Sequence, residues 1–218
     1  MKIANVESDV LFPVPYWVID FDDVEDVNRA MLQEIDRVDW DAEHRRRGLQ
    51  QLVNSRHQED VFITTELVPS AKQVVDAFGH SCLEIGQELG WELEHNEIRV
   101  LELWAHITAA GKVTQTHDHA PSHLSCAYYV RTPKDCGELH FKEDRKQRAS
   151  EPASTLANMR QDVAVQPKEG RMVIFPGWLS HYVSENRSGQ RRVSLSCNAD
   201  LMSKALSHAV EISYAAQK

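Results

Sequence analysis

The hydrophobic rhythm of the chain changes near residue 96. Before it, Val24, Val27, Met31, Ile35 and Val38 recur at steps of three and four, the period of a helix with one apolar face. Asp22 and Asp23 precede this run as N-cap candidates that would also suit the positive end of the helix dipole. A second helix is predicted over about 70–89, where Val74, Val75, Phe78, Cys82, Ile85 and Leu89 repeat and Gly90 stands at the C-cap. Earlier still, residues 6–21 hold short apolar runs broken by Pro13 and Pro15. Proline offers no donor to a strand ladder, so Tyr16-Trp17-Val18-Ile19 reads as an edge strand. Residues 41–60 are polar and irregular and read as a surface loop.

Beyond residue 96 the period shortens toward two. Strands are expected over 97–108, 113–119, 124–131, 138–142, 172–175, 180–183 and 192–198, with a turn at 109–112. Short strands punctuated by Pro, Gly and Asn predict a β-sandwich or jelly roll. Residues 143–162 interrupt this pattern with a charged, aperiodic stretch, read as a lid or as a plain surface insertion. The tail, 201–218, has room for a short helix through Leu201, Ala205, His208 and Val210. The fold expectation is one domain that is mainly β with flanking helices: a helical support region (1–95), a jelly-roll core (96–200) and a tail.

Composition narrows the function classes. The chain has 218 residues with a hydrophobic fraction of 42%, enough for a sizeable core. Lys and Arg total 24 against 33 Asp and Glu, a formal charge of −9, which opposes a nucleic-acid partner. Arg45-Arg46-Arg47 is the one dense basic spot and reads as solvated. No apolar run reaches membrane-spanning length, and the first residues lack a secretory layout, so a cytoplasmic address is expected. Cys82, Cys126, Cys136 and Cys197 form no Cys-x-x-Cys pair, which argues against a disulfide framework or a thiolate zinc site. Cys126 and Cys197 fall in apolar runs and are expected in the core.

The histidines change the picture. There are 11, and three lie between positions 117 and 123. On a strand, residues two apart share a face, so His117 and His119 would aim two imidazoles into one cavity while Asp118 faces away. By itself such a pair is a weak metal signal, since core histidines are also common. His181 follows the apolar Ile174-Phe175-Pro176-Gly177-Trp178 and would complete a set of three, leaving coordination positions open as a catalytic metal requires. Arg192 lies on the apolar strand of Val193, Leu195 and Cys197. A buried guanidinium calls for an anion, and Ser194 would present its hydroxyl from the same face. Tyr128 and Tyr129 could each add a phenol. Alone, Arg192 reads rather as one half of an ordinary ion pair with a sheet-edge Glu or Asp.

Taken in order, His117-x-His119, Ser122-x-x-Ser125, Tyr128-Tyr129-Val130, Gly137-x-Leu139-x-Phe141, Pro167-x-x-Gly170, Phe175-Pro176-x-Trp178-Leu179-x-His181 and Arg192-x-Ser194-x-Ser196-x-Asn198 resemble the iron(II)- and 2-oxoglutarate-dependent oxygenase superfamily. The closest resemblance is to its group of small bacterial and phage oxygenases. It covers about half the chain, residues 104–198. The resemblance implies a double-stranded β-helix, the cupin-like jelly roll. It implies iron(II) at His117 and His181, and Arg192 and Ser194 on the distal carboxylate of 2-oxoglutarate with Tyr129 assisting. The reaction implied is a hydroxylation that releases succinate and carbon dioxide.

The superfamily's usual His-x-Asp or His-x-Glu is His-x-His here, which places His119 where a carboxylate normally stands. Asp118 is the rival third ligand, opposed by strand alternation, and His123 is left outside the set. Two other functions share these residues: a cupin-like three-histidine dioxygenase that uses no oxo acid, and a non-catalytic metal- or ligand-binding jelly roll. Arg192-x-Ser194 discriminates against the first, because such an enzyme needs no carboxylate clamp. The expected partner is a small molecule or a peptide or protein side chain, with no membrane. Exposed jelly-roll edges leave room for a homodimer.

Overall fold

A computed structural model describes residues 13–40, 42–43, 59–142 and 162–205. Strand β1 (Trp17–Asp20) leads into helix α1 (Glu25–Arg37). Next come β2 (Glu59–Phe62), helix α2 (Ala71–Glu88), β3 (Asn96–Thr108), β4 (Thr114–His117), β5 (Leu124–Arg131) and β6 (Leu139–Lys142). The chain ends in β7 (Asp162–Val165), β8 (Arg171–Pro176), β9 (His181–Val183) and β10 (Arg192–Ser203). All strand pairings among the described residues are antiparallel, in a six-stranded sheet ordered β1-β8-β5-β10-β3-β2 and a four-stranded sheet ordered β4-β9-β6-β7. This is the expected jelly roll. No described helix is long and apolar enough to cross a membrane.

The two faces of the large sheet explain why β5 and β10 read as nearly continuous apolar runs. One face packs on the helices: Cys126, Tyr128 and Val130 of β5 and Val193, Leu195 and Cys197 of β10 meet Met31, Ile35, Val74, Phe78, Cys82 and Ile85. The other faces the small sheet, where Tyr129, Leu139, Phe141, Val165, Val173, Phe175 and Leu179 form a second cluster. A strand buried on both sides must be apolar on both. Each fully buried side chain of this size contributes about 1.5–3 kcal/mol relative to exposure. The four cysteines are buried free thiols.

Several expectations need correction. Helix α1 begins at Glu25 with Val24 as N-cap and no side-chain cap. Asp23 is held at φ 55°, in the left-handed region, and acidic Glu25 and Asp26 occupy the first turn instead. The polar stretch before residue 60 ends in β2, which is recruited by pairing with β3 rather than by its own periodicity. Residues 162–165 form β7, a short strand hidden at the end of the predicted interruption. β10 runs on to Ser203, past the predicted boundary, because β3 supplies a partner to that point. β4 ends at His117 instead of 119. The Arg45–Arg47 run, all but the last residue of the expected lid at 143–162 and the tail beyond 205 lie outside the described residues. The edge strand, both helices and Gly90 with its φ of 71° lie where they were expected.

Candidate metal centre

His117 is the last residue of β4 and pairs across the small sheet with His181, the first residue of β9. Their ring centroids are 4.3 Å apart, and the His119 ring lies 5.0 Å from each. One ring nitrogen from each of the three falls within 4.8 Å of the others, a spacing able to hold a metal ion. The Nδ1 atoms of His117 and His181 lie 2.8 Å from the carbonyls of Gln115 and Leu179. A carbonyl only accepts, so the proton is assigned to Nδ1 and the Nε2 lone pair is left available.

Burial sets the charge state. His181 is 4% exposed, and burial, reinforced by the neighbouring His117, pushes its pKa down to about 3. The same causes bring His119 down to about 4. Both rings are therefore neutral near pH 7, the form in which imidazole binds a metal.

His119 reaches the cluster by a route that strand alternation did not foresee. It lies beyond β4, where its backbone N–H donates to the Gly177 carbonyl at 2.6 Å, while the Gly177 N–H donates to the His123 carbonyl at 3.1 Å. The two loops that carry the histidines are thus laced together. A Cβ at Gly177 would fall 2.2 Å from the Ser122 carbonyl oxygen, so only glycine allows this approach. The His119 ring packs 5.5 Å from the Trp104 ring. Asp118 points elsewhere: it is exposed, and its carboxylate accepts the Ala120 N–H at 3.0 Å. His123 pairs with Asp200 at 3.1 Å.

The three histidines open onto a cavity between the sheets, lined also by His106, Thr114, Tyr129, Leu139, Val183, Arg192, Ser194 and Ser196. Arg192 is 2% exposed. Its Nη2 donates to Thr108 Oγ1 at 2.9 Å and its Nη1 to the Cys136 carbonyl at 3.3 Å, which fixes the plane of the guanidinium. β10 pairs Ser194 with both His106 and Tyr129. Burial pushes the Tyr129 phenol up to about 12, against the opposing pull of Arg192, so it stays a neutral donor. Tyr128 faces the other way and donates to Asn28 at 2.8 Å. The six predicted site residues therefore line one cavity.

Thr114 and His106 were missed from sequence. His106 could have been found from the alternation Trp104, His106, Thr108 along β3, once β10 was known to pair with it. Thr114 could not. It sits three residues before His117, and a register irregularity between them turns both inward. A further run, Ser125 Oγ to Asn198 Oδ1 and Asn198 Nδ2 to Glu102 Oε2, each 2.7 Å, continues the polar row of β10 past the histidines.

Residues 102–198 match the family described as "Putative 2OG-Fe(II) oxygenase". Over this segment the chain is similar to that family. No match was found among curated proteins. Solved structures share the chain's fold. A prolyl-4-hydroxylase from Pseudomonas putida is 21% identical, with a TM-score of 0.56 over 86% of this chain and 92% of that one. HygX from Streptomyces hygroscopicus, with nickel and 2-oxoglutarate bound, is 10% identical, with a TM-score of 0.59 over 86% and 83%. A prolyl hydroxylase from Trichoplax adhaerens, in complex with a hypoxia inducible factor peptide fragment, is 14% identical, with a TM-score of 0.53 over 85% and 83%.

The residues present fit both groups that such an oxygenase uses. Three imidazoles, two with Nδ1 directed at a carbonyl, suit a divalent first-row metal. A guanidinium pinned in a largely apolar cavity, beside a serine and a protonated phenol, suits a carboxylate.

Proposed function

We propose that His117, His119 and His181 hold iron(II), and that Arg192, Ser194 and Tyr129 hold the distal carboxylate of 2-oxoglutarate. The oxygenase would hydroxylate a small molecule or a peptide side chain. Structural neighbours bind ligands of both classes: HygX has been seen with hygromycin B, and the Trichoplax enzyme with a peptide. The observation that carries this reading is the shared cavity, lined by the three clustered histidines and by the pinned Arg192.

When bound, the metal and the oxo acid supply the oxidising chemistry, with succinate and carbon dioxide as products. The protein's own part is placement. The carbonyls of Gln115 and Leu179 hold the His117 and His181 rings by their Nδ1 protons. Thr108 and Cys136 fix the guanidinium, which grips a carboxylate bidentately without reorganising. Tyr129 donates a hydrogen bond and carries no opposing charge. The apolar walls, Leu139, Phe175 and Val183, limit water around the reacting groups. A first shell of three imidazoles leaves the site one unit more positive than a two-histidine, one-carboxylate set.

The test is a pair of substitutions. Arg192→Ala is expected to weaken 2-oxoglutarate binding to the metal-loaded protein at least about 100-fold, because a buried charge-assisted pair is lost, while metal affinity is spared. His181→Ala is expected to abolish metal binding. Loss of metal from Arg192→Ala, or unchanged 2-oxoglutarate affinity, would overturn the assignment.

A further inference from the structure

Beyond the histidines, the row of β3 side chains that faces the cavity ends in a carboxylate. The register between β3 and β10 is unbroken from Thr108 and Arg192 to Glu102 and Asn198, and residues two apart on a strand share a face. Leu103 and Ala105 pack into the core under the helices, so Glu102, Trp104 and His106 take the opposite face. His106 lines the cavity, and the Trp104 ring lies 5.5 Å from the His119 ring. Glu102 is the next position outward and is exposed to solvent.

Buried groups hold this exposed carboxylate in place. Ser125 is 1% exposed and Asn198 5%. Ser125 Oγ donates to Asn198 Oδ1, which turns the amide so that its Nδ2 donates to Glu102 Oε2, each at 2.7 Å. An exposed glutamate ordinarily keeps its rotamer freedom in water, whereas this one is oriented from the core. Among the described residues no Lys or Arg forms an ion pair with it. A carboxylate fixed next to an indole suits an ammonium or guanidinium group. The carboxylate supplies charge and acceptors, and an indole face attracts cations.

We infer that Glu102 is a substrate-binding residue that selects a substrate carrying an ammonium or guanidinium group, held against its carboxylate and the Trp104 ring beside the histidine cluster. This inference rests on the oxygenase reading given above and adds the substrate class to it. Arg192 and Ser194 lie at the far end of the same β10 row, opposite Thr108 and His106, while Asn198 lies opposite Glu102. The anion-binding and cation-binding ends are therefore set apart along one strand pair. A purely structural Glu102 would serve only as an acceptor for Asn198, a task that glutamine performs as well.

Glu102→Gln separates the two roles, because it keeps an acceptor for Asn198 and removes the charge. The cationic probes are spermidine, as a free amine, and the Nα-acetyl N-methylamides of lysine and arginine, as protein side chains. The Nε-acetylated lysine amide is the uncharged control. Binding to nickel- and 2-oxoglutarate-loaded protein is read from the broadening of the probes' proton resonances. At least one cationic probe is expected to bind about 10-fold or more tightly than the control. Glu102→Gln is expected to lose about 10-fold or more of that affinity, the value of one hydrogen bond to a charged group, with 2-oxoglutarate affinity and melting temperature unchanged. Preference for spermidine would place the cation on a small molecule, and preference for the blocked amides would place it on a peptide or protein side chain. Cationic probes that bind no better than the control, or that bind Glu102→Gln like wild type, would overturn the inference while leaving the oxygenase reading intact. A lowered melting temperature accompanying the loss would overturn it too, by showing a structural role. Failure of the wild-type protein to bind nickel or 2-oxoglutarate would overturn the oxygenase reading, and this inference with it.

Discussion

Substituting Gly177 by alanine tests whether backbone contact between two loops sets the metal site. The new Cβ would lie 2.2 Å from the Ser122 carbonyl oxygen and 2.9 Å from its carbon. Real Cβ contacts essentially stop at 3.0 Å, so the loops must part by at least about 0.8 Å, the gap between those two distances. Neither contact is a flexible side-chain end that can swing away. Overpacking of this kind costs about 1–3 kcal/mol. The same displacement stretches the His119-to-Gly177 and Gly177-to-His123 backbone hydrogen bonds, now 2.6 and 3.1 Å, and moves His119 relative to His181. Metal–ligand distances tolerate about 0.2 Å, so metal affinity is expected to fall about 10–100-fold, the usual loss when a supporting contact is removed. The assay is competition for the metal with a chromogenic chelator, with circular dichroism to show that the sheets persist. Gly79→Ala is the control. Its Cβ would meet only Val100 at 3.7 Å inside helix α2, so it should gain about 0.5–1 kcal/mol and leave metal affinity alone. A folded Gly177→Ala protein that binds metal like wild type would refute the reasoning.

Two further outcomes follow from the same geometry. Asn198→Ala removes the acceptor of Ser125, which is 1% exposed, and is expected to destabilise the fold by about 1–3 kcal/mol in denaturant titration; an unchanged midpoint would show that the network contributes nothing. In the metal-free protein, stability is expected to fall as pH drops below about 6.5. Unfolded chains then take up protons on His119 and His181 that the buried native rings refuse until about 4 and about 3, and stability declines wherever the unfolded state binds more protons. His181→Asn should flatten that slope across the same window, and an identical slope would contradict the pH argument.

What was legible in the sequence depended on how local its cause was. Helices α1 and α2 announced themselves because amphipathic periodicity comes directly from one buried face. β5, β8 and β10 were legible as apolar runs, although those runs are silent on the order of the strands. β2 and β7 escaped because each is a short strand held by a neighbour: β2 by β3 and β7 by β6. The N-cap was misplaced because Asp23 takes a left-handed turn, a choice made by the chain's path rather than by residue preference. At the site, His117, His181, Arg192, Ser194 and Tyr129 were reachable from spacing and resemblance together. His119 was reached for an incomplete reason. Alternation would have carried it inward had β4 continued, whereas the structure brings it in through Gly177. Thr114 was beyond reach, since an irregular register breaks the period-two rule on which such readings rest.

The most direct test of the whole account is anaerobic titration of iron(II) and 2-oxoglutarate into metal-free protein, followed by admission of oxygen. The weak visible charge-transfer band of an iron(II)–oxo acid chelate should develop with one equivalent of each, fail to form in the His181→Ala protein, and give way to succinate once oxygen enters. A metal-loaded wild-type protein that shows neither the band nor oxygen-dependent succinate would contradict the central claim.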